Sequence, residues 1–189
     1  MDADVRGAYG RIDAWLREYG GARGRRGPVD AAAVEAVVDR PLPADLLALW
    51  ELEVDDGYWL PPDGGFVLMA AAELLETREI WLRVAKDEPD EPERFVPELL
   101  PIASSGGGDG LVVDLREGAA YGTVHLWDHE VWGLRVPLWG GVAEMLEDVA
   151  EALESGGPVL LGHAENGGTE GPCIAVSDGF AWVPVREGP

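Results

Sequence analysis

Cysteine is almost absent. Cys173 stands alone, so no intrachain disulfide can form and the fold must be held by its core. Lysine is as scarce: Lys86 faces 13 arginines, which with abundant Ala and Gly reads as a high-GC bacterial coding bias. No apolar run reaches membrane-spanning length. The N-terminus, MDADVRGAYGRIDAW, lacks the basic and apolar regions of a signal peptide. Both absences lead us to expect a cytoplasmic protein. Positive charge is the largest deficit, with 14 basic against 36 acidic residues and a formal net charge of −22. Such a surface repels phosphate backbones and anionic headgroups, which argues against nucleic acid and membrane as partners. It attracts basic proteins and speeds their association.

Catalytic signatures are also missing. There is no G-x-S-x-G elbow, and Cys173 sits without a thiol-nucleophile signature, so no catalytic residue is assigned. The turn GGGDG at 106–110 lacks the Gly-Lys-Ser/Thr ending of a phosphate loop, precedes a strand, and carries Asp109 where phosphate would sit. His125, Asp128 and His129 invite a metal reading. On an extended strand the two imidazoles would stand roughly 13 Å apart, too far to share an ion. No metal or other cofactor is expected.

What is present is a chain of 189 residues with 47% hydrophobic side chains. At this size roughly 70% of the unfolded surface is buried on folding, and the composition can fill that core. Val5, Ala8, Ile12, Trp15, Leu16 and Tyr19 recur at helical spacing, and Gly20-Gly21 stops that helix. Arg23, Arg25 and Arg26 follow as a basic island, read as a solvated loop. Asp30 is an N-cap for a second helix with Val34, Val37 and Val38 inward, and Pro43 suits the first position of a third. Residues 58–69 read as a turn between short extended pieces. Residues 70–84 form a helix with Leu74, Leu75, Trp81, Leu82 and Val84 on its apolar face. Arg78 falls in that face and is read as snorkelling, with a buried carboxylate partner as the other reading.

The pattern then changes to strands: 99–103, 111–115, 121–127 and 131–136, with turns at 106–109 and 116–120. A last helix covers 141–155. Within 157–189, rich in Gly and Pro, Asp178-Gly179 signals a hairpin, either added to the sheet or on a loosely docked tail. The organisation expected is 1–29 as a helix and basic loop, 30–156 as the core domain, and 157–189 as an extension.

Two places combine features of a protein contact. One is the turn Asp55-Asp56-Gly57-Tyr58-Trp59, which puts carboxylates and aromatics together. The other is the DEPDEPE run, with Asp87, Glu88, Asp90, Glu91 and Glu93 between prolines that preclude a regular element.

Five segments in order, over about residues 30–156, resemble SUKH domains, which include the fungal Smi/Knr cell-wall-synthesis regulators and many bacterial immunity proteins; the last is the 141–155 helix, similar to the family's closing helix. LPADLLALWELEVDDG at 42–57 resembles the family's opening helix, and FVLMAAAELLETREIW at 66–81 its strand and helix. LLPIASSGGGDGLVVDL at 99–115 is similar to its Gly-Gly-Gly-Asp hairpin, and GTVHLWDHE at 122–130 to the next strand. Asp56 stands where the family commonly has Asn. The resemblance implies an α+β fold, a central and mainly antiparallel sheet packed against several helices. It implies that Leu42, Pro43, Gly57, Pro101, Gly107, Asp109 and Asp114 are framework positions. It also implies an immunity protein that neutralises a basic toxin domain, a nuclease or deaminase. The fungal branch implies the alternative of a regulatory adaptor with several partners.

Overall fold

Helix α1 (Val5–Tyr19) forms because Val5, Ala8, Tyr9, Ile12 and Leu16 make one buried stripe, while the Asp4 carboxylate accepts a hydrogen bond from the Arg6 N–H at 3.1 Å. Trp15 is half-buried and Tyr19 exposed, so the covered stripe is narrower than the periodicity alone indicates. The computed structural model describes residues 4–20, 24–62, 65–87, 94–130, 133–134 and 136–160. It also describes the backbone of 170–175 and 179–184 with the Trp182 side chain.

The basic island departs from expectation. Arg25–Arg26 is a short strand, β1, paired antiparallel with β2 (Val54–Asp55). Arg25 is ion-paired with Asp13 and donates to the Glu53 carbonyl at 2.9 Å; Arg26 is ion-paired with Glu73. In a chain with so few cations, neighbouring carboxylates recruit these arginines to hold the fold. Arg23 lies outside the described residues.

Helix α2 (Ala31–Val38) is capped by Asp30, which accepts from the Ala33 N–H at 3.1 Å. Val34 and Val38 are buried, but Val37 is 54% exposed, because this two-turn helix is covered along one i, i+4 line only. Pro43 is the N-cap of α3 (Ala44–Trp50), one place earlier than expected, and Leu46, Leu49 and Trp50 face inward. Strand β3 (Val67–Leu68) leads into α4 (Ala71–Asp87). Arg78 does not snorkel. It is 8% exposed, its Nη2 donates to the Pro97 carbonyl at 2.6 Å, and burial lowers its pKa.

Strands β4 (Leu99–Ser104), β5 (Gly110–Asp114), β6 (Val124–Asp128) and β7 (Gly133–Leu134) complete a five-stranded antiparallel sheet in the order β3-β4-β5-β6-β7. The fold is α+β. Side chains alternate across the sheet with period two. Leu100, Leu111, Val113, Val124 and Leu126 join the main core with α1, α2, α3 and α5 (Val142–Ser155). Leu99, Val112 and Trp127 face the other way, onto Ala85 and Phe95, with Trp81 and Leu82 of α4 packed alongside. There Trp81, Phe95 and Trp127 form an aromatic triangle with centroids 5.2–5.8 Å apart. Strand β5 is thus covered on both faces, which is why its apolar run does not alternate with polar residues. Each fully buried Leu, Ile or Val in these layers contributes about 1.5–3 kcal/mol.

Strands β8 (Glu170–Ala175) and β9 (Gly179–Pro184) pair with each other and not with the main sheet. The Asp178 turn position lies outside the described residues. Trp182 is 2% exposed within the main core, and its Nε1 donates to the Trp59 carbonyl at 2.9 Å. That core also takes in α1 and Val159–Leu160. Among the described residues, no helix is long and apolar enough to cross a membrane.

Candidate protein-binding site

The turn from Asp55 to Trp59 splits into an inner and an outer half. Asp55 is buried: its N–H donates to Tyr9 Oη at 2.6 Å, and its Oδ1 accepts from the Gly57 N–H at 2.8 Å, closing an Asx turn. Burial, foremost, pushes the Tyr9 phenol up to about 12. Trp59 has no exposed surface; its Nε1 donates to the Asp55 carbonyl at 3.2 Å and its ring meets Tyr9 at 5.7 Å. Neither Asp55 nor Trp59 is therefore placed to meet a partner, because a turn that caps the core must bury its apolar and hydrogen-bonding members. Asp56 and Tyr58 point outward. Asp87 is exposed at the end of α4; Glu88, Asp90, Glu91 and Glu93 lie outside the described residues.

The outer half does not stand alone. A Cβ built on Gly106 would stand 2.9 Å from Tyr58 Oη, so the tyrosine lies directly against the Gly-Gly-Gly-Asp turn between β4 and β5. On the far side of that turn, a Cβ on Gly108 would stand 2.9 Å from the His129 ring. Gly106 and Gly108 have φ of +75° and +115°, values only glycine adopts freely. Gly107, the position the resemblance singled out, carries no such backbone demand and is exposed.

Asp109 ties two turns together. Its Oδ1 accepts from the His129 N–H at 3.0 Å and meets His129 Nδ1 at 2.7 Å, while its carbonyl accepts from the Ser105 N–H at 3.1 Å. The hydrogen bond to Asp109 raises the His129 pKa above the usual imidazole value. Asp128, the last residue of β6, is brought into the same cluster, and Glu130 is exposed beside it. Tyr58, Asp109, Asp128, His129 and Glu130 thus lie along neighbouring loops at one end of the sheet, and Asp56, two residues before Tyr58, lies against Gly24. The sequence flagged Asp128 and His129 but not their link to Asp109, twenty residues away. Their signal was the β5–β6 register, Gly110 opposite Trp127, which brings Asp109 level with Asp128.

His125 belongs elsewhere, as its predicted separation from His129 required. It is buried, with Nε2 at 2.8 Å from Thr123 Oγ1 and 3.9 Å from Asp114 Oδ2. Asp114 is fully buried and accepts from the Arg116 N–H at 2.8 Å and from Arg116 Nε at 3.0 and 2.9 Å. It organises the turn that follows β5. Leu42, Pro43 and Pro101 are buried in the fold, and Gly122 packs against Pro43.

The acidic outer face of α5 is engaged internally. Glu147 and Glu154 pair with Arg11, Glu144 accepts from the Gly140 N–H at 2.7 Å, and Asp148 accepts from Trp139 Nε1 at 2.9 Å and the Leu160 N–H at 3.1 Å. Four of its five carboxylates are thus engaged with other parts of the fold.

A model of the SMI1/KNR4 family (SUKH-1) matches residues 28–148. That span holds the whole five-stranded sheet and the loops of the candidate site, and leaves out α1 and the β8–β9 hairpin. No curated protein matches the chain.

Proposed function

The chain belongs to the SMI1/KNR4 family (SUKH-1), and from that premise we propose that it is an immunity protein, one that binds a cognate toxin domain and neutralises it through the acidic loops at the end of the sheet. The observation that carries this reading is the exposed Tyr58 ring against the Gly106 turn, with exposed Asp56 two residues before it and exposed Glu130 beside the His129 ring that rests on Gly108 of the same turn. Aromatics supply contact area at little entropic cost, and carboxylates steer a basic partner and fix its register. A nuclease or deaminase carries a basic cleft for its nucleic acid, and a protein of net charge −22 competes for that cleft. The protein acts by occupying a surface, inside the cell that makes the toxin, and not by turning over a substrate. The DEPDEPE run is a second candidate contact in this reading.

Co-expression tests it. The wild-type chain should relieve the toxicity of its basic partner, and the Asp56→Lys, Glu130→Lys double variant should not. The complex should weaken between about 0.1 and about 1 M salt, as the Debye length falls from ~10 to ~3 Å. A partner that carries no basic surface, or protection untouched by the double charge reversal, sinks the proposal.

A further inference from the structure

We propose that Asp109, Asp128 and His129 form a binding site for one divalent transition-metal ion of the zinc class. One donor from each residue, the imidazole nitrogen and two carboxylate oxygens, lies within 4.8 Å of the other two. The three come from two turns that the fold holds side by side. Asp109 precedes β5, and Asp128 ends β6 with His129 directly after it, across the adjacent antiparallel pair.

The arrangement is held before any ion arrives. The His129 backbone N–H fixes Asp109 Oδ1 at 3.0 Å, the ring rests on the side-chain-free surface of Gly108, and Nδ1 stands 2.7 Å from the same oxygen. Asp128 Oδ1 accepts from the Glu130 N–H at 2.9 Å, which orients its carboxylate. The donors of a tetrahedral zinc ion, with bonds of about 2.0–2.2 Å, stand roughly 3.3–3.6 Å apart. The donors lie within 4.8 Å of one another, and the side chains of Asp109 and His129 are 35% and 41% exposed, so an ion reaches them from solvent. In the bound state the ion takes the place of the proton shared between Nδ1 and Oδ1. The open side leaves a fourth position to water.

The donor set selects the ion. An imidazole nitrogen with two carboxylates suits zinc, nickel or cobalt, whereas magnesium and calcium take oxygen donors. The protein's field attracts cations of either kind, so selectivity rests on His129. The ion would lock the β4–β5 turn to the β6–β7 turn beside the proposed partner surface, but its binding does not depend on that surface having a partner.

Isothermal titration of the purified full chain with zinc chloride, and separately with calcium chloride, tests the site without any partner. One equivalent of zinc should bind, and His129→Ala and Asp109→Asn should each weaken it by at least about tenfold. Asp109→Asn keeps an oxygen for the His129 N–H, so the turn is preserved. On the wild-type chain, zinc should shift the backbone resonances of 108–110 and 127–130 first, a readout that needs no variant. Absence of saturable zinc binding, zinc binding that both variants leave unchanged, shifts centred elsewhere, or calcium bound as tightly as zinc would each overturn the assignment.

Discussion

Replacing Trp182 with alanine asks whether the β8–β9 hairpin is an accessory or part of the core. The indole is 2% exposed, so its removal deletes a large buried side chain and leaves a cavity beneath Trp59. Such truncations cost about 3–5 kcal/mol when the surroundings cannot collapse. The loss also removes the hydrogen bond from Nε1 to the Trp59 carbonyl, a group buried within the turn; a net hydrogen bond is worth about 1 kcal/mol. Trp182→Phe separates the two contributions, since it keeps most of the apolar volume and loses the donor. For a domain of this length each kcal/mol moves the melting temperature by about 2–4 °C, so Trp182→Ala should lower it by roughly 6–20 °C and Trp182→Phe by far less. Urea unfolding followed by far-UV circular dichroism gives the free energies directly, with the eight tryptophans making fluorescence harder to assign. A single cooperative transition at lower urea is the expected form. If Trp182→Ala costs less than about 1 kcal/mol, or unfolds the hairpin alone while the melting of the remainder stays put, the indole does not seal the core and the reasoning fails.

Three further outcomes follow from the geometry. Tyr9→Phe strands the buried Asp55 N–H and should cost about 1–3 kcal/mol by chemical denaturation. The Tyr9 phenol is raised to about 12, so its contribution is intact below pH ~10, the ordinary tyrosine value, and is lost as pH climbs through 12; an alkaline unfolding step in that window should shrink in Tyr9→Phe. Gly108→Ala must adopt a φ of +115° and meet the His129 ring, and should cost on the order of 1–3 kcal/mol, whereas Gly107→Ala should be close to neutral in the same melts. Asp114→Ala removes a buried carboxylate that accepts from both the backbone and the side chain of Arg116, and should destabilise by about 3 kcal/mol; a variant that melts like wild type would show that Asp114 does not organise the turn after β5.

Much of the fold was legible along the chain because it is local. Asp30 announces α2 through a side chain that reaches three residues on, and the heptad-like spacing of Val142, Met145, Leu146, Val149 and Leu153 is enough to define α5. The strands were readable from short β-branched runs broken by Gly-rich turns, the family from the order of those pieces, and their antiparallel sheet from what that resemblance implies. The larger errors concern residues whose surroundings come from far along the chain. Arg25 and Arg26 look solvated until Asp13 and Glu73 are brought to them, and Arg78 looks like a snorkelling side chain until the Pro97 carbonyl meets it.

The candidate site shows the same division. Sequence by itself determined that this protein is acidic, that it makes short strands and amphipathic helices, and that Asp55 to Trp59 is a turn, because charge count, periodicity and turn chemistry act over a few residues. Only the tertiary structure decided which members of that turn face water. Trp59 and Asp55 were claimed by the core and by Tyr9, leaving Asp56 and Tyr58 outside. The strand register likewise set Asp109 beside Asp128 and His129, a meeting that no local pattern encodes because two strands and a turn separate the partners.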